Sequence, residues 1–239
     1  MKSYSFEPIG VIRSCFKEKF GTPRQSGLVP EATAQVEILP AFRQKEAFRC
    51  LEEFSHIWIL FIFHQCEARQ WKPTVRPPRL GGNRRVGVFA SRSGFRPNPI
   101  GQSVVELASV ELQKEAVRLH LKGIDLIDGT PILDIKPYLV YADSVPHARS
   151  GYAQRAPMSS KSIIFSATAA HACRQFEKGR YPQLEALVAN LLSMDPRPGY
   201  KARDDHRSYG LSLWDLNILF NVEKDRIVVE SITVRPEGQ

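Results

Sequence analysis

In "GVFASRSGFRPNPIGQSVVEL" (residues 87–107), two apolar runs flank a polar segment that folding alone does not require. Val88 and Phe89, with Val86 just before them, form one run, and Val104, Val105 and Leu107 form the other. Both have the β-branched and aromatic content of buried strands. Between them stand Arg92, Ser93, Gly94, Phe95, Arg96, Pro97, Asn98, Pro99 and Gly101. Pro97 and Pro99 restrict Arg96 and Asn98 to extended backbone. Two arginines and an asparagine are thereby held with little freedom left to lose on binding. A stiff polar loop between core strands points to function more than to packing.

Similar strand-length runs fill the rest of the first 140 residues: "SFEPIGVIRS", "TAQVEIL", "SHIWILFIF", "RRVGVFAS", "GQSVVELASVEL", "AVRLHLKGID" and "PILDIKPYL". Gly, Pro or Asp separates them, and one helix is expected at Ala41 to Glu53, where Ala47, Phe48 and Leu51 recur at helical spacing. Seven strands without regular intervening helices predict a barrel or a sandwich. Residues 141–157, "YADSVPHARSGYAQRAP", are polar and aperiodic and read as a linker or a surface excursion. Beyond them the pattern changes to a small α+β unit. "SIIFSA" is a strand, residues 168–178 and 182–194 are helices, and "LSLWDLNILFNV" and "RIVVESITV" form a hairpin across Glu223 to Asp225. The expected organisation is a β domain over residues 1–145 and an α+β domain over 158–236.

The charge is uneven. The net charge is +8, and no acidic residue lies between Glu67 and Glu106. That interval holds Arg69, Lys72, Arg76, Arg79, Arg84, Arg85, Arg92 and Arg96, enough to account for the whole excess. Such a cluster suits a polyanion. A solvated basic face would look the same, but arginine's planar fork tilts the balance towards recognition. Cys15, Cys50, Cys66 and Cys173 form no CxxC or Cys/His pattern, so neither a metal site nor a disulfide framework is expected. No apolar run approaches the roughly 18 residues of a membrane span. "MKSYSFEPIG" lacks the apolar core of a secretory signal, and a cytoplasmic location is expected. There is no GxGxxG after a strand, no P-loop, no HExxH and no GxSxG, so a Rossmann dinucleotide site and the common hydrolases are disfavoured.

Other candidates for chemistry are less sharply marked. His64 and Gln65 end the most apolar run, where a polar pair serves either a satisfied hydrogen bond or a ligand. In "LIDGTPILDIKPY" (126–138), prolines should keep part of the backbone out of ladder pairing and free to read a heterocycle, although from the pattern alone an edge strand is the better reading. "PRQSG" (23–27) is a short polar loop with no signal of its own.

Taken together, "PRQ" after "IGVIRS", "FSHIWILFIFHQ", "PPRLGG", "GVFASRSGFRPNPIG", "DGTPILDIKPY" and "DPRPGY" (195–200) resemble the TrmO-type tRNA methyltransferases, from about Ile9 to the C-terminal hairpin. The resemblance implies a mainly β protein: an N-terminal seven-stranded β-barrel that binds S-adenosylmethionine, then a small C-terminal domain that contributes to tRNA binding. It also implies a homodimer that methylates N6 of N6-threonylcarbamoyladenosine at position 37 of threonine tRNA. Carried over by motif, the cofactor contacts are Pro23, Arg24, Gln25, His64, Gln65, Arg92, Gln102 and the stretch Ile132, Leu133, Asp134 and Ile135. His64 and Asp134 are candidates for accepting the proton lost by the methylated nitrogen, and catalysis by orientation alone stands beside them. Arg84, Arg85, Arg96 and Asn98 are candidates for the substrate, as are Arg197, Tyr200, Lys201 and Arg203 on one C-terminal loop and the pair Asp215 and Asn217. A non-catalytic RNA-binding barrel and a small-molecule methyltransferase are the rival readings.

Overall fold

The structure is a computed structural model that describes residues 2–66, 70–157, 161–197 and 207–235. Six strands close a barrel: β1 (Gly10–Ser14), β2 (Thr33–Ile38), β3 (His56–Ile62), β6 (Ile100–Leu112), β7 (Val117–Lys122) and β8 (Pro131–Pro137). Their order around the barrel is β1-β2-β7-β6-β3-β8, and every pairing is antiparallel. The pairing of β8 with β1 closes it, and burial alternates along the strands. Ile57, Ile59 and Phe61 of β3 are buried, as are Val105 and Leu107 of β6 and Val117, Leu119 and Leu121 of β7.

The seventh expected strand lies outside the barrel. "RRVGVFAS" supplies only β5 (Val86–Gly87), which pairs with β4 (Thr74–Val75) in a two-stranded ribbon. Residues 88–90 then turn as a 3-10 helix. The run is too short to extend a ladder, and only Val88 among its apolar residues reaches the core. The helix expected at 41–53 is also different. Three 3-10 turns stand there, Pro40–Phe42, Lys45–Phe48 and Leu51–Glu53, separated by extended backbone at Gln44 and Arg49 and by a left-handed Cys50. Phe48 is the one residue of these turns buried in the core, so no continuous apolar stripe rewards a regular helix.

The short helix α1 (Val140–Asp143) leaves the barrel. The C-terminal unit begins with β9 (Ser162–Phe165), α2 (Ala167–Glu177) and α3 (Leu184–Ser193), continuing with β10 (Ser208–Leu213), β11 (Leu216–Val222) and β12 (Arg226–Val234). Its sheet order is β10-β11-β12-β9, with β9 parallel to β12. The hairpin across Glu223 to Asp225 is present, but "LSLWDLNILFNV" is two strands, split by a turn at Trp214 and Asp215. Trp214 has φ of 51°, a left-handed geometry that suits a tight reversal.

One hydrophobic cluster runs through both units. The β1–β2 connection is clamped onto the C-terminal sheet. Phe16 bridges to Leu213, Trp214 N–H donates to the Cys15 carbonyl at 2.7 Å, and the Phe20 ring stacks on Phe220 at 6.4 Å. Asn190 donates to Glu31 at 2.9 Å from α3.

Candidate active site

Strand direction decides where the chemistry gathers. β1, β3 and β7 point one way around the barrel and β2, β6 and β8 the other, so the β1–β2, β3–β6 and β7–β8 connections all emerge at the same end. A cleft of about 1720 Å³ opens there, lined from all three connections, from the segment after α1 and from the end of α3. Ligand pockets commonly measure about 300–1,000 Å³, so this cleft has room for more than one small molecule. Among the described residues it is lined by ten cationic side chains and two carboxylates, Asp125 and Asp195.

The β1–β2 connection brings Pro23, Arg24 and Gln25 to the cleft. Its far side is pinned where Gly27 N–H donates to the Gly123 carbonyl at 2.8 Å. Both glycines hold left-handed backbone, and a Cβ on Gly123 would stand 3.2 Å from the Gly27 Cα, so this crossing requires glycine. His64 and Gln65 sit in a 3-10 turn directly after β3. Lys19 donates to the Gln65 carbonyl at 3.2 Å, tying that turn to the β1–β2 connection.

The loop over residues 91–99 divides its labour. Arg92 reaches across and donates to the side-chain carbonyl of Gln25. Arg96 turns inward instead, its Nη1 donating to the carbonyls of Ser91 and Ser93 at 3.1 Å each. Both arginines line the cleft, but the Arg96 Nη1 is committed to its own loop. Asn98 is exposed and is not part of the lining. The prolines serve the backbone: Phe63 N–H donates to the Pro99 carbonyl at 2.8 Å, and Ile100 N–H to the Asn98 carbonyl at 2.7 Å. Gly94 lets this loop lie against the Phe63 side chain, where a Cβ would come within 2.8 Å of the ring.

Not every expected contact comes to the cleft. Gln102, at the start of β6, does. Ile132, Leu133, Asp134 and Ile135 do not, because they lie in β8, where Ile132, Asp134 and Ile135 pair with β1 or β3 and Leu133 falls at a bulge. Ile132 is fully buried in the barrel core. Asp134 has a side chain 45% exposed and pairs with Lys136 at 2.8 Å. The β7–β8 connection just before β8 lines the cleft instead, through Asp125, Leu126, Ile127 and Thr130. Motif resemblance reaches this region, but only strand pairing shows which residues of it are free of the ladder.

Asp125 is the cleft residue that residue patterns did not single out. Burial pushes its carboxyl up to about 6, although the Ser103 hydroxyl, the Ser26 backbone and the charge of Arg92 favour ionisation. Its Oδ1 is shielded from solvent and has no hydrogen-bond partner. A carboxylate short of a partner at a cleft lining is suited to a cationic or hydrogen-bond-donating ligand.

Of the substrate candidates, Arg85 lines the cleft and donates to Thr74 at 3.2 Å, whereas Arg84 is exposed outside the lining. Arg197 lines it too, but as a buried side chain paired bidentately with Asp195, Nε to Oδ1 and Nη2 to Oδ2 at 2.8 Å each. Tyr200, Lys201 and Arg203 lie outside the described residues. Asp215 and Asn217 do not share a strand: Asp215, in the turn, accepts a hydrogen bond from Tyr181 and lies 3.5 Å from Arg180, while Asn217, in β11, pairs with Ser212 of β10 and Thr233 of β12. Neither lines the cleft.

Comparisons with known proteins agree with the arrangement. The model of the tRNA-methyltransferase O N-terminal domain matches residues 11–144, and that of the TrmO C-terminal domain matches 159–235. A tRNA (adenine(37)-N6)-methyltransferase of Escherichia coli is 51% identical over 223 residues, covering 93% of this chain and 94% of the relative. A putative S-adenosylmethionine-dependent methyltransferase of Pseudomonas aeruginosa is 46% identical over 226 residues, covering 95% and 96%. The crystal structure of TrmO from Pseudomonas aeruginosa superposes with a TM-score of 0.82 at 40% identity, covering 98% of both chains.

Proposed function

Because the chain belongs to the tRNA-methyltransferase O family, an S-adenosylmethionine-dependent group acting on N6 of adenine 37 in tRNA, we propose that its acceptor is N6-threonylcarbamoyladenosine at position 37 of threonine tRNA. The observation that carries this is the cationic cleft at one barrel end, which has room for a cofactor together with a modified nucleotide. The reading includes a cofactor-binding barrel over residues 1–145, a C-terminal domain over 158–236 that contributes tRNA contacts, a homodimer and a cytoplasmic location.

The residues present fit the cofactor. It is cationic at sulfur and at its α-amino group, which suits the free Oδ1 of the Asp125 carboxylate, and its own carboxylate suits Arg92 or Arg24. When bound it supplies an electrophilic methyl group on a sulfonium, with a good leaving group already in place. The protein must hold the acceptor nitrogen in line and keep competing water out. Pro23, Arg24, Gln25, His64, Gln65, Arg92 and Gln102 are the proposed cofactor contacts among the cleft residues. The acceptor nitrogen also loses a proton. Of the two candidates named for that proton, His64 lines the cleft and Asp134 does not. The proposed substrate contacts in the cleft are Arg85 and Arg96, whose positive charge suits the threonyl carboxylate and the flanking phosphates.

The test is transfer of labelled methyl from S-adenosylmethionine to threonine tRNA, comparing transcripts with and without the threonylcarbamoyl group. Label only in the modified tRNA is expected. Equal labelling of both transcripts would overturn the threonylcarbamoyl requirement while leaving the methyltransferase.

A further inference from the structure

Phe89 is 75% exposed, yet it lines the cleft. Isolated apolar residues on a surface are ordinary and need no function. Phe89 differs in how firmly its backbone is held. On one side Val88 is buried, and its N–H donates to the Pro73 carbonyl at 3.0 Å. The Ser91 hydroxyl and N–H both return to the Val88 carbonyl, at 2.8 Å and 3.1 Å. On the other side the Tyr152 hydroxyl, from the segment after α1, donates to the Ala90 carbonyl at 3.0 Å. The chain is fastened before and after Phe89 while the ring stays in solvent, although its buried neighbour shows that core is within reach of the same turn.

The charges around it say what would cover it. Arg76 and Arg85 follow and precede the paired residues Val75 and Val86, so they stand across the ribbon from one another at its far end from Phe89. Both line the cleft, with Arg79 and Arg92. A second copy of this chain packed with Phe89 near a two-fold axis would bring two such cationic clefts together. Like charges brought together in an interface cost binding energy. A polyanion with exposed aromatic faces meets both the ring and the cations. Single-stranded RNA is that ligand: unpaired bases stack on aromatic side chains while arginines hold the phosphates.

We propose that Phe89 is a stacking platform for an unpaired base of the tRNA anticodon loop, with Arg76 and Arg85 on the adjoining phosphates. The proposal rests on the tRNA reading above and adds to it the residue that positions the loop.

The experiment compares wild type with Phe89→Ala, Phe89→Leu and Phe89→Tyr. It measures binding of a threonine tRNA anticodon stem-loop, cofactor binding by calorimetry, and mass by light scattering. Stacking is expected to make Phe89→Ala and Phe89→Leu weaken RNA binding by about 5- to 150-fold, with Phe89→Tyr near wild type and cofactor affinity unchanged. The leucine variant separates π-stacking from apolar bulk. Equal RNA affinity in all four proteins overturns the platform while wild-type binding leaves the tRNA reading standing. Loss of RNA binding that follows a fall in mass overturns it in favour of a contact between copies. No RNA binding by wild type itself overturns the tRNA reading and the platform with it.

Discussion

Arg92 donates its Nη1 hydrogen to the side-chain carbonyl of Gln25, joining two connections that are 67 residues apart in the chain. The bond spans the cleft mouth between the β1–β2 and β3–β6 connections, and the Gln25 amide in turn donates to the Arg24 carbonyl. Lysine at position 92 keeps the charge but loses the planar fork. Arg92→Lys is expected to weaken S-adenosylmethionine binding by about 10- to 150-fold, the worth of a charge-assisted hydrogen bond, and to leave Tm unchanged because the side chain is exposed. Titration calorimetry checks this; an affinity within threefold of wild type would remove Arg92 from carboxylate recognition.

Asp125 should make stability depend on pH in an unusual direction. Burial lifts its carboxyl from the ordinary 3.8 to about 6, so the folded chain binds this proton more tightly than the unfolded one. Its contribution to stability is therefore greatest below about pH 4, declines as pH rises towards 6, and stays low above that. Asp125→Asn removes the buried charge. The variant is expected to be more stable than wild type at pH 8, by up to roughly 3 kcal/mol, and equal to it near pH 4. Denaturant titrations at the two pH values decide it. A variant less stable at pH 8 would show that the ionised carboxylate holds the fold together. The same substitution is expected to weaken binding of the cationic cofactor, a trade of function for stability.

Two glycines are expected to separate stability from activity. A Cβ on Gly101 would stand 2.3 Å from Cζ of Phe61, whose buried ring meets Phe63 edge-on at 5.0 Å. Gly101→Ala should overpack the barrel at a cost of about 1–3 kcal/mol, a fall in Tm of about 2–12 °C for a chain of this size. At Gly94 the Cβ would meet the Phe63 Cβ at 2.9 Å, an atom fixed by the backbone, so the loop carrying Arg92 and Arg96 must move. Gly94→Ala should cost more in turnover than in Tm. Thermal melts beside methyl-transfer rates test the pair, and the reverse ranking would refute the assignment.

The Asp195–Arg197 pair is lopsided: the arginine side chain is 1% exposed and the aspartate 27%. Removing the aspartate charge leaves the buried guanidinium only Tyr209 as a side-chain partner, while its Nη1 already has none. Asp195→Asn is expected to cost about 3–5 kcal/mol, whereas Arg197→Met leaves a partly solvated carboxylate and should cost less. Burial alone would raise the Asp195 carboxyl, but the Arg197 hydrogen bonds and charge hold it below the ordinary range. Its contribution is present above the usual carboxylate pKa and is lost as pH falls through the lowered one. Urea titrations of the two variants establish the order.

The sequence by itself determined the barrel's staves and the chemistry of the loops between them. The β-branched and aromatic content of "SHIWILFIF" and "GQSVVELASVEL" marked them as strands, but the first is apolar on both faces, so only the tertiary structure decided that Ile57, Ile59 and Phe61 enter the core. The prolines and arginines of residues 92–99 marked a stiff polar loop in the same local way. Tertiary structure alone decided what those loops became. "RRVGVFAS" has strand composition, yet ladder partners were taken up by the six barrel strands. Arg92 and Arg96 are alike in the sequence, but one bonds across the cleft and the other folds onto its own backbone. Asp125 and Asp134 are both acids on one stretch. Only strand pairing puts the first in the shielded connection and the second on an exposed ladder beside Lys136. Burial, pairing and loop convergence are set by residues distant in the chain, and no local pattern contains them.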